Sequence, residues 1–278
     1  MERFAREQAP ERAERTDTLV WGKNAVTELL KSGGAVDTVY LTDTMPQAVA
    51  GHYTALAKES GAVVKRVPGN KLSNIFFQPS VGKDYANGGI FGKRSMILGE
   101  SHYCDESCAD CGDCRLHREC MNFTQQVLDD YLNENKERQN WMRTFLKFER
   151  SLVGEETDQT MRLKIWNSVI FFNYLQVAMG GPREAGTGEQ YRQAGKAFFE
   201  VIEKYQSEYV IVWGKRLWDN LPNVRWQDSD DIVVDGYPVA MGAYLLSNGK
   251  QVKVMAVNHP SVGYSWDYWY KVIQRFLR

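Results

Sequence analysis

Residues 95–103 read SMILGESHY, and this stretch decides the fold. Met96, Ile97 and Leu98 form a short apolar run before a glycine, which is typical of a buried strand that runs into a turn. Gly99 allows a close approach of the backbone to a ligand, and the next four residues bring polar groups to the loop. Because ligands of open α/β sheets bind beyond the carboxyl ends of strands, the stretch predicts an active-site loop. The alternative is a polar loop that merely follows a core strand.

Three further apolar runs also end in polar residues. They are followed by Asn173, by Gly214-Lys215-Arg216 and by Asn258-His259-Pro260-Ser261. Strands of this kind alternate with helical patterns along the chain. We therefore expect an α/β fold, a three-layer α/β/α arrangement with a mainly parallel central sheet.

Length, net charge and the lengths of the apolar runs limit what kind of protein this can be. A chain of 278 residues is long enough for one large domain or two modest ones. The formal net charge is −1, from 34 basic and 35 acidic residues. Any nucleic-acid contact is therefore expected from a local basic patch. No apolar run approaches membrane-spanning length and the N-terminus is charged, so we expect a cytoplasmic protein with no membrane partner.

The chain divides into two predicted domains, residues 1–76 and 77–278. The first contains a strand–helix–strand alternation over about 70 residues. The segment 76–91 is rich in turn residues and is predicted to be a linker. Further on, residues 123–148 predict one helical stretch, 155–161 a polar loop and 266–277 a closing helix.

The strand-end motifs resemble those of the uracil-DNA glycosylase superfamily. Residues 99–103, GESHY, correspond to its first motif, Asn173 to the residue that ends its base-reading strand, and residues 259–261, HPS, to its late motif. The resemblance covers about residues 93–278. It implies a fold of that superfamily and the chemistry of a monofunctional DNA glycosylase, which flips a base out of the duplex and hydrolyses its N-glycosidic bond to leave an abasic site.

The resemblance implies two principal catalytic residues. Glu100 would stabilise the positive charge on the sugar or activate water, and His259, as a neutral imidazole, would donate a hydrogen bond to the base and stabilise the leaving anion. Ser101 stands where the best-known members carry an Asp that orients water, and a serine cannot act as that base. The alternative for Glu100 is a carboxylate that caps the loop.

The base pocket is implied by a second set of residues. Asn173 would read the edge of a pyrimidine, or else would bind backbone. Gly99 allows close approach, Tyr103 would wall the pocket or simply pack, and Phe172 would stack on the base. His102 replaces a proline of the family and would face the base or bind metal.

The predicted partner is double-stranded DNA. Ser261 would bind a phosphate next to the flipped nucleotide, and either Val262 or Tyr264 would wedge into the duplex. Lys215 and Arg216 are candidates for phosphate contacts, the alternative being a solvated pair.

All five cysteines lie within 17 residues, which predicts a metal site rather than a disulfide framework. They are Cys104, Cys108, Cys111, Cys114 and Cys120. Zinc takes four ligands, so one thiol is spare or His117 substitutes for one. The local pairs resemble a zinc knuckle, and an iron–sulfur cluster is the alternative.

Residues 18–75 are similar to the L30e-like substrate-binding domain of SpoU-type RNA 2′-O-ribose methyltransferases. The segments that carry this likeness are 21–26, 36–41 and 57–61. The knotted catalytic half of those enzymes is not found downstream. The resemblance therefore implies a nucleic-acid-binding accessory domain, including contact with RNA, and a tethering or dimerising module is the alternative.

Three functions remain open. The glycines at 180–181 and 186–188 predict a roomy pocket, which would suit a pyrimidine with a large C5 substituent, such as the hydroxymethylated or glucosylated cytosines of phage genomes. Excision of such bases would serve antiviral defence. Uracil excision in repair is the first alternative, and a non-catalytic nucleic-acid-binding protein is the second.

Overall fold

The computed structural model describes residues 23–42, 45–67, 74–104, 114, 118–261 and 263–278. The protein belongs to the α/β class and divides into two compact units, with the boundary between Ser73 and Asn74.

Within the described ranges, no helix combines the length and the apolar character that crossing a membrane requires.

The N-terminal unit alternates helices and strands. Its elements are α1 (Lys23–Lys31), β1 (Thr38–Thr42), α2 (Gln47–Glu59) and β2 (Val63–Val67). The two strands pair in parallel, Val39 opposite Val64, and Leu41, Ala50 and Ala57 are buried between sheet and helices. The predicted order of elements is confirmed here.

The C-terminal unit contains the remaining elements. Its strands are β3 (Ser80–Val81), β4 (Ser95–Gly99), β5 (Val169–Asn173), β6 (Tyr209–Trp213), β7 (Trp226–Val234), β8 (Tyr237–Leu245) and β9 (Gln251–Val257). Its α-helices are α3 (Phe123–Leu132), α4 (Met142–Val153), α5 (Gln159–Asn167), α6 (Gly188–Tyr205), α7 (Lys215–Asp219) and α8 (Trp266–Phe276).

The seven strands form one mixed sheet in the order β3-β5-β4-β6-β9-β8-β7. The central strands β5, β4, β6 and β9 are parallel, whereas β3, β8 and β7 join antiparallel. The prediction of a mainly parallel sheet is therefore not confirmed. The difference comes chiefly from the β7–β8 hairpin, whose turn residues Asp235 and Gly236 have φ angles of 51° and 81°, as a two-residue type I′ turn requires.

Side chains of the central strands alternate between two hydrophobic clusters, one on each face of the sheet. Leu98, Phe172 and Val212 pack with Phe198 of α6. Ile97, Phe171 and Ile211 pack with helices α3, α4, α5 and α8. Burying an aliphatic or aromatic side chain of this size contributes about 1.5–3 kcal/mol relative to leaving it exposed. This burial fixes the strands, and so also the positions of the loops that follow them.

Three local predictions are wrong in part. The predicted linker 76–91 is part of the C-terminal unit, because Phe77 and Tyr85 are buried and β3 pairs with β5. The single helix predicted at 123–148 is two, α3 and α4, since Asn133 adopts an extended conformation. The predicted loop 155–161 contains the start of α5, where the Asp158 side chain accepts a hydrogen bond from the Met161 backbone N–H at 2.7 Å.

Candidate functional site

The four strand-end loops lie side by side at the carboxyl edge of the parallel strands. Gly99 at the end of β4 pairs with Asn173 at the end of β5. On the other side, β6 pairs with β4, and Trp213 of β6 pairs with Val257 of β9. Polar side chains that are distant in sequence are thus brought to one edge of the sheet.

Glu100 is the centre of a polar cluster at this edge. The Arg216 guanidinium donates from Nε to Glu100 Oε1 at 2.7 Å and from Nη2 to Glu100 Oε2 at 2.7 Å. The Tyr191 hydroxyl also donates to Oε1. The Glu100 side chain is 10% exposed and that of Arg216 is 38% exposed. Glu100 therefore has a bidentate, charge-assisted partner whose outer side faces solvent.

Arg216 also holds a neighbouring loop. Its Nη1 donates to the Arg183 carbonyl oxygen at 3.0 Å, and its Nη2 lies 3.3 Å from the Glu184 carbonyl oxygen. The hydrogen bond to Glu100 raises the pKa of Arg216, so the guanidinium stays charged. Burial, together with the hydrogen bond to Glu100, raises the pKa of Tyr191, which therefore stays a donor.

His259 presents a neutral imidazole at the same edge. Its Nδ1 accepts a hydrogen bond from the Ser261 backbone N–H at 3.2 Å and lies 2.7 Å from Ser261 Oγ. Because a backbone N–H can only donate, Nδ1 is unprotonated and the ring proton is on Nε2. Burial lowers the pKa of His259; the charge of Glu100 opposes this effect and that of Arg216 adds to it. These long-range effects place His259 within the field of the Glu100–Arg216 pair.

Asn173 and His102 are bonded to each other. Asn173 Nδ2 lies 3.1 Å from His102 Nδ1, and His102 Nε2 lies 3.0 Å from Thr124 Oγ1. The imidazole stacks on Phe123, with ring centres 4.5 Å apart. Burial lowers the pKa of His102 to about 3, so the ring is neutral. In this arrangement both ring nitrogens are engaged, and neither is left to bind a metal.

The same contact explains the glycine of the first motif. A Cβ atom on Gly99 would lie 2.1 Å from Asn173 Oδ1. Gly99 is therefore required for the Asn173 amide to occupy its position beside the strand. The amide is buried and directed into the protein, where it binds His102, rather than toward an open pocket.

Two predicted roles do not fit the observed positions. Phe172 is fully buried in the hydrophobic cluster beneath α6, so it is not placed to stack on a base. Tyr264 stacks on Trp269 and its hydroxyl lies 2.7 Å from Ser151 Oγ in the core, so it is not placed to wedge into a duplex. Val262, the other wedge candidate, lies outside the described residues.

The remaining predicted residues are exposed, except for the Ser101 hydroxyl. Tyr103 is 42% exposed, as a pocket wall open to solvent would be. The Ser261 hydroxyl contacts His259, and Lys215 Nζ contacts Asp219 Oδ2 at 2.8 Å. Ser101 Oγ is buried and has no hydrogen-bond partner within the described part of the chain.

The predicted metal site is only partly described. Cys104, Cys114 and Cys120 are partly buried, and Cys114 Sγ accepts a hydrogen bond from the Ala178 backbone N–H at 3.3 Å. Cys108, Cys111 and His117 lie outside the described residues. Within the described residues no three His, Cys, Asp or Glu side chains are grouped as metal ligands. Binding of zinc or of an iron–sulfur cluster stays a prediction.

A cavity of about 300 Å³ opens beside these loops, between the end of β9, the start of β8 and the starts of α7 and α8. Its aromatic walls are Trp218, Tyr237, Tyr268 and Trp269. Lys215 and Asn258, the chain neighbours of Arg216 and His259, also line it. The glycines at 180–188 do not line this cavity, and Gly186 instead packs near Leu175.

Tyr191 and Thr124 belong to the site but were not predicted from the sequence. Thr187 and Gln190 form a capping box that starts α6 and brings Tyr191 to the carboxyl edge. A Thr-x-x-Gln signal is visible in the sequence, but it locates only the helix start. The partners of Tyr191 and Thr124 are 91 and 22 residues away.

No family model matches this chain, and no curated protein matches it.

Proposed function

We propose that residues 74–278 act as a DNA glycosylase with a three-layer fold like that of the uracil-DNA glycosylases. The observation that carries the proposal is the meeting of Glu100 and His259 at the carboxyl edge of the parallel strands. Cleavage of an N-glycosidic bond develops positive charge on the sugar and negative charge on the leaving base. A carboxylate and an imidazole N–H at one site are the groups that stabilise these two charges.

His259 is assigned to the leaving base. Its Nε2–H, inferred from the Ser261 contact to Nδ1, is the donor that would bind a base oxygen. Its lowered pKa keeps the ring neutral at physiological pH, so it donates a hydrogen bond without carrying charge. The negative charge that develops on the base strengthens this bond in the transition state.

Glu100 is assigned an electrostatic role rather than that of a general base. Arg216 and Tyr191 donate hydrogen bonds to the two oxygens of its carboxylate, which are occupied while those bonds last. Arg216 is also the predicted phosphate contact, and its side chain is more exposed than that of Glu100. We propose that a DNA phosphate competes for Arg216 and uncovers the charge of Glu100 as the substrate binds.

The aromatic cavity supports a substrate base larger than uracil. Its volume of about 300 Å³ lies at the lower end of cavities that enclose drug-sized ligands, which is more than a bare pyrimidine ring fills. A pyrimidine with a bulky C5 group, such as a glucosylated hydroxymethylcytosine of phage DNA, is the proposed substrate, with antiviral defence as its setting. Uracil excision remains the alternative activity.

A non-catalytic nucleic-acid-binding protein is the second candidate function. It is favoured by the Glu100–Arg216 pair itself, because a carboxylate neutralised by a bidentate arginine contributes little field at a sugar. In that case the strand-end loops would hold a nucleotide without cleaving it. The N-terminal unit, by its sequence resemblance, is proposed to add nucleic-acid contacts under either function.

An abasic-site assay on two DNAs tests the proposal. We expect the protein to release base from glucosylated phage DNA. His259→Ala should reduce this on the order of a hundredfold, as expected for loss of one transition-state donor. Glu100→Gln keeps the shape of the side chain and removes its charge, so it should also slow release. Glu189→Gln, an exposed carboxylate that pairs with Arg192, is the matched control and should turn over normally.

The outcomes separate the three functions. Abasic sites only in uracil-containing DNA would leave a repair enzyme and refute the modified base. Binding of either DNA with no base release would establish the non-catalytic candidate. Normal turnover by both Glu100→Gln and His259→Ala would place the chemistry elsewhere.

A further inference from the structure

A second cavity, of about 250 Å³, lies between the end of α3, the start of α4 and α5. It shares no lining residue with the strand-end cavity. Three arginines line it, Arg138, Arg143 and Arg162, together with the amides of Gln139 and Asn140 and the ring of Tyr131. We call this space the arginine cavity.

Arg162 is the buried wall of the arginine cavity, with a side chain only 10% exposed. Its Nε lies 3.2 Å from Glu149 Oε1 and 3.1 Å from the Tyr131 hydroxyl, and its Nη1 donates to Gln159 Oε1 at 2.9 Å. Its Nη2 makes no hydrogen bond to any described residue. Arg162 therefore lines the cavity with a side chain that is nine-tenths buried and has one NH2 group not bound by any described residue.

Arg138 contacts the same tyrosine as Arg162, Tyr131. Its Nη1 donates to the Tyr131 carbonyl oxygen at 3.0 Å. The guanidinium carbons of Arg138 and Arg162 lie 5.8 Å and 5.1 Å from the centre of the Tyr131 ring. Cation–π contacts and hydrogen bonds therefore set two guanidinium groups around one ring, with donors left over.

The positive charge of the arginine cavity is not balanced by nearby acidic residues. Glu149 pairs with Arg162, whereas neither Arg138 nor Arg143 makes an ion pair with a described residue. None of the residues that line the cavity is acidic. Arg143 is exposed in the first turn of α4, where there is no acidic residue and the helix dipole is positive. The three arginines and Glu149 leave two positive charges without a counter-charge.

We propose that the arginine cavity binds a phosphate monoester. Guanidinium groups present planar forks that match phosphate oxygens. A phosphate monoester carries a charge of about −1.5 to −2 at pH 7, which suits the two unbalanced positive charges. The amides of Gln139 and Asn140 can bind the esterified group. The phosphate can come from a small phosphorylated molecule or from the terminal phosphate of a DNA strand.

Calorimetric titration of the full chain tests this site. The probes are inorganic phosphate and an oligodeoxythymidine with or without a 5′-phosphate. The double variant Arg138→Gln/Arg143→Gln should weaken phosphate binding at least about tenfold, since each exposed guanidinium supplies a charge-assisted bond. The control Lys164→Gln/Lys196→Gln removes two positive charges from exposed sites outside the cavity and should bind within about twofold of the wild type.

The two sources of the phosphate give different results. If the 5′-phosphate raises the affinity of the wild type for the oligodeoxythymidine but not that of the arginine variant, the ligand is the end of a DNA strand. Binding of inorganic phosphate with no gain from the 5′-phosphate identifies a small molecule. Equal losses in the two double variants, or no binding of any phosphate probe by the wild type, would overturn the proposal. Circular dichroism of both variants checks that they fold.

Discussion

Two Glu–Arg pairs in the C-terminal unit differ in burial and in what surrounds them. In the core, Glu149 is fully buried and Arg162 nearly so. At the strand ends, Glu100 is 10% exposed and Arg216 is 38% exposed. Glu149 also accepts hydrogen bonds from the Trp166 indole and the Thr157 hydroxyl. Arg216 instead binds the carbonyls of a surface loop.

This difference in exposure indicates which of the two ion pairs can separate. A buried ion pair loses its hydration, so removing one partner leaves a charge with no alternative solvent. An arginine with more than a third of its side chain exposed can exchange its carboxylate for water or for another anion. The core pair is thus a fixed part of the fold, whereas the strand-end pair is suited to respond to a ligand.

Breaking the core pair should have the largest effect. Arg162→Met leaves the Glu149 carboxylate buried and without its cation, so we expect a loss of about 3–5 kcal/mol in the free energy of unfolding. Urea denaturation followed by tryptophan fluorescence measures it.

The matched control is the double variant Glu149→Leu/Arg162→Met. Replacing both charges by apolar side chains should recover much of the loss, because the cost arises from the unpaired charge. A double variant as unstable as Arg162→Met alone would mean that packing and not charge dominates this region.

Breaking the strand-end pair should cost less. Arg216→Met should lower stability by about 1 kcal/mol, since Arg216 is more than a third exposed and Tyr191 still donates to Glu100. The loop at 181–184 loses two carbonyl contacts, so limited proteolysis there should accelerate. Lys215→Met removes the exposed neighbouring charge and should change neither measurement appreciably. A loss at Arg216 as large as that at Arg162 would remove the distinction between the two pairs.

The sequence predicts the strand ends better than the contacts across them. Buried parallel strands are continuous apolar runs, so β4, β5, β6 and β9 could be located, and with them Asn173 and His259. The Glu100–Arg216 pair joins residues 116 positions apart. No local pattern encodes such a contact, which depends on how neighbouring strands align.

The errors have identifiable physical causes. Asp235-Gly236 is a hairpin signal visible in the sequence, and it predicts the antiparallel pairing of β7 with β8. The position of Tyr264 after the late motif predicts a place at the DNA surface. Its burial depends on Ser151 and Trp269, and an aromatic residue in a loop carries no mark of whether it faces solvent.

His102 is a further buried ionisable group, and unlike the two Glu–Arg pairs it has no oppositely charged partner. His102 lies behind Asn173 and packs against Phe77 and Phe123, and its hydrogen-bond partners are neutral. A buried ionisable group either finds an opposite charge, as Arg162 does, or gives up its own. His102 follows the second course, and burial lowers its pKa to about 3.

This gives the smallest predicted effect, a pH dependence of stability. An unfolded histidine titrates near pH 6.5, so as pH falls the unfolded chain binds a proton that the folded protein refuses. Stability is therefore complete above about pH 6.5 and declines toward pH 3, with about 0.8 kcal/mol lost to His102 between pH 7.5 and pH 6. His259, whose pKa is also lowered, adds in the same direction. Denaturation midpoints across this range should show a shallower slope for His102→Gln than for the wild type. An unchanged slope in His102→Gln would mean that this ring accepts a proton in the folded protein despite its burial among neutral partners.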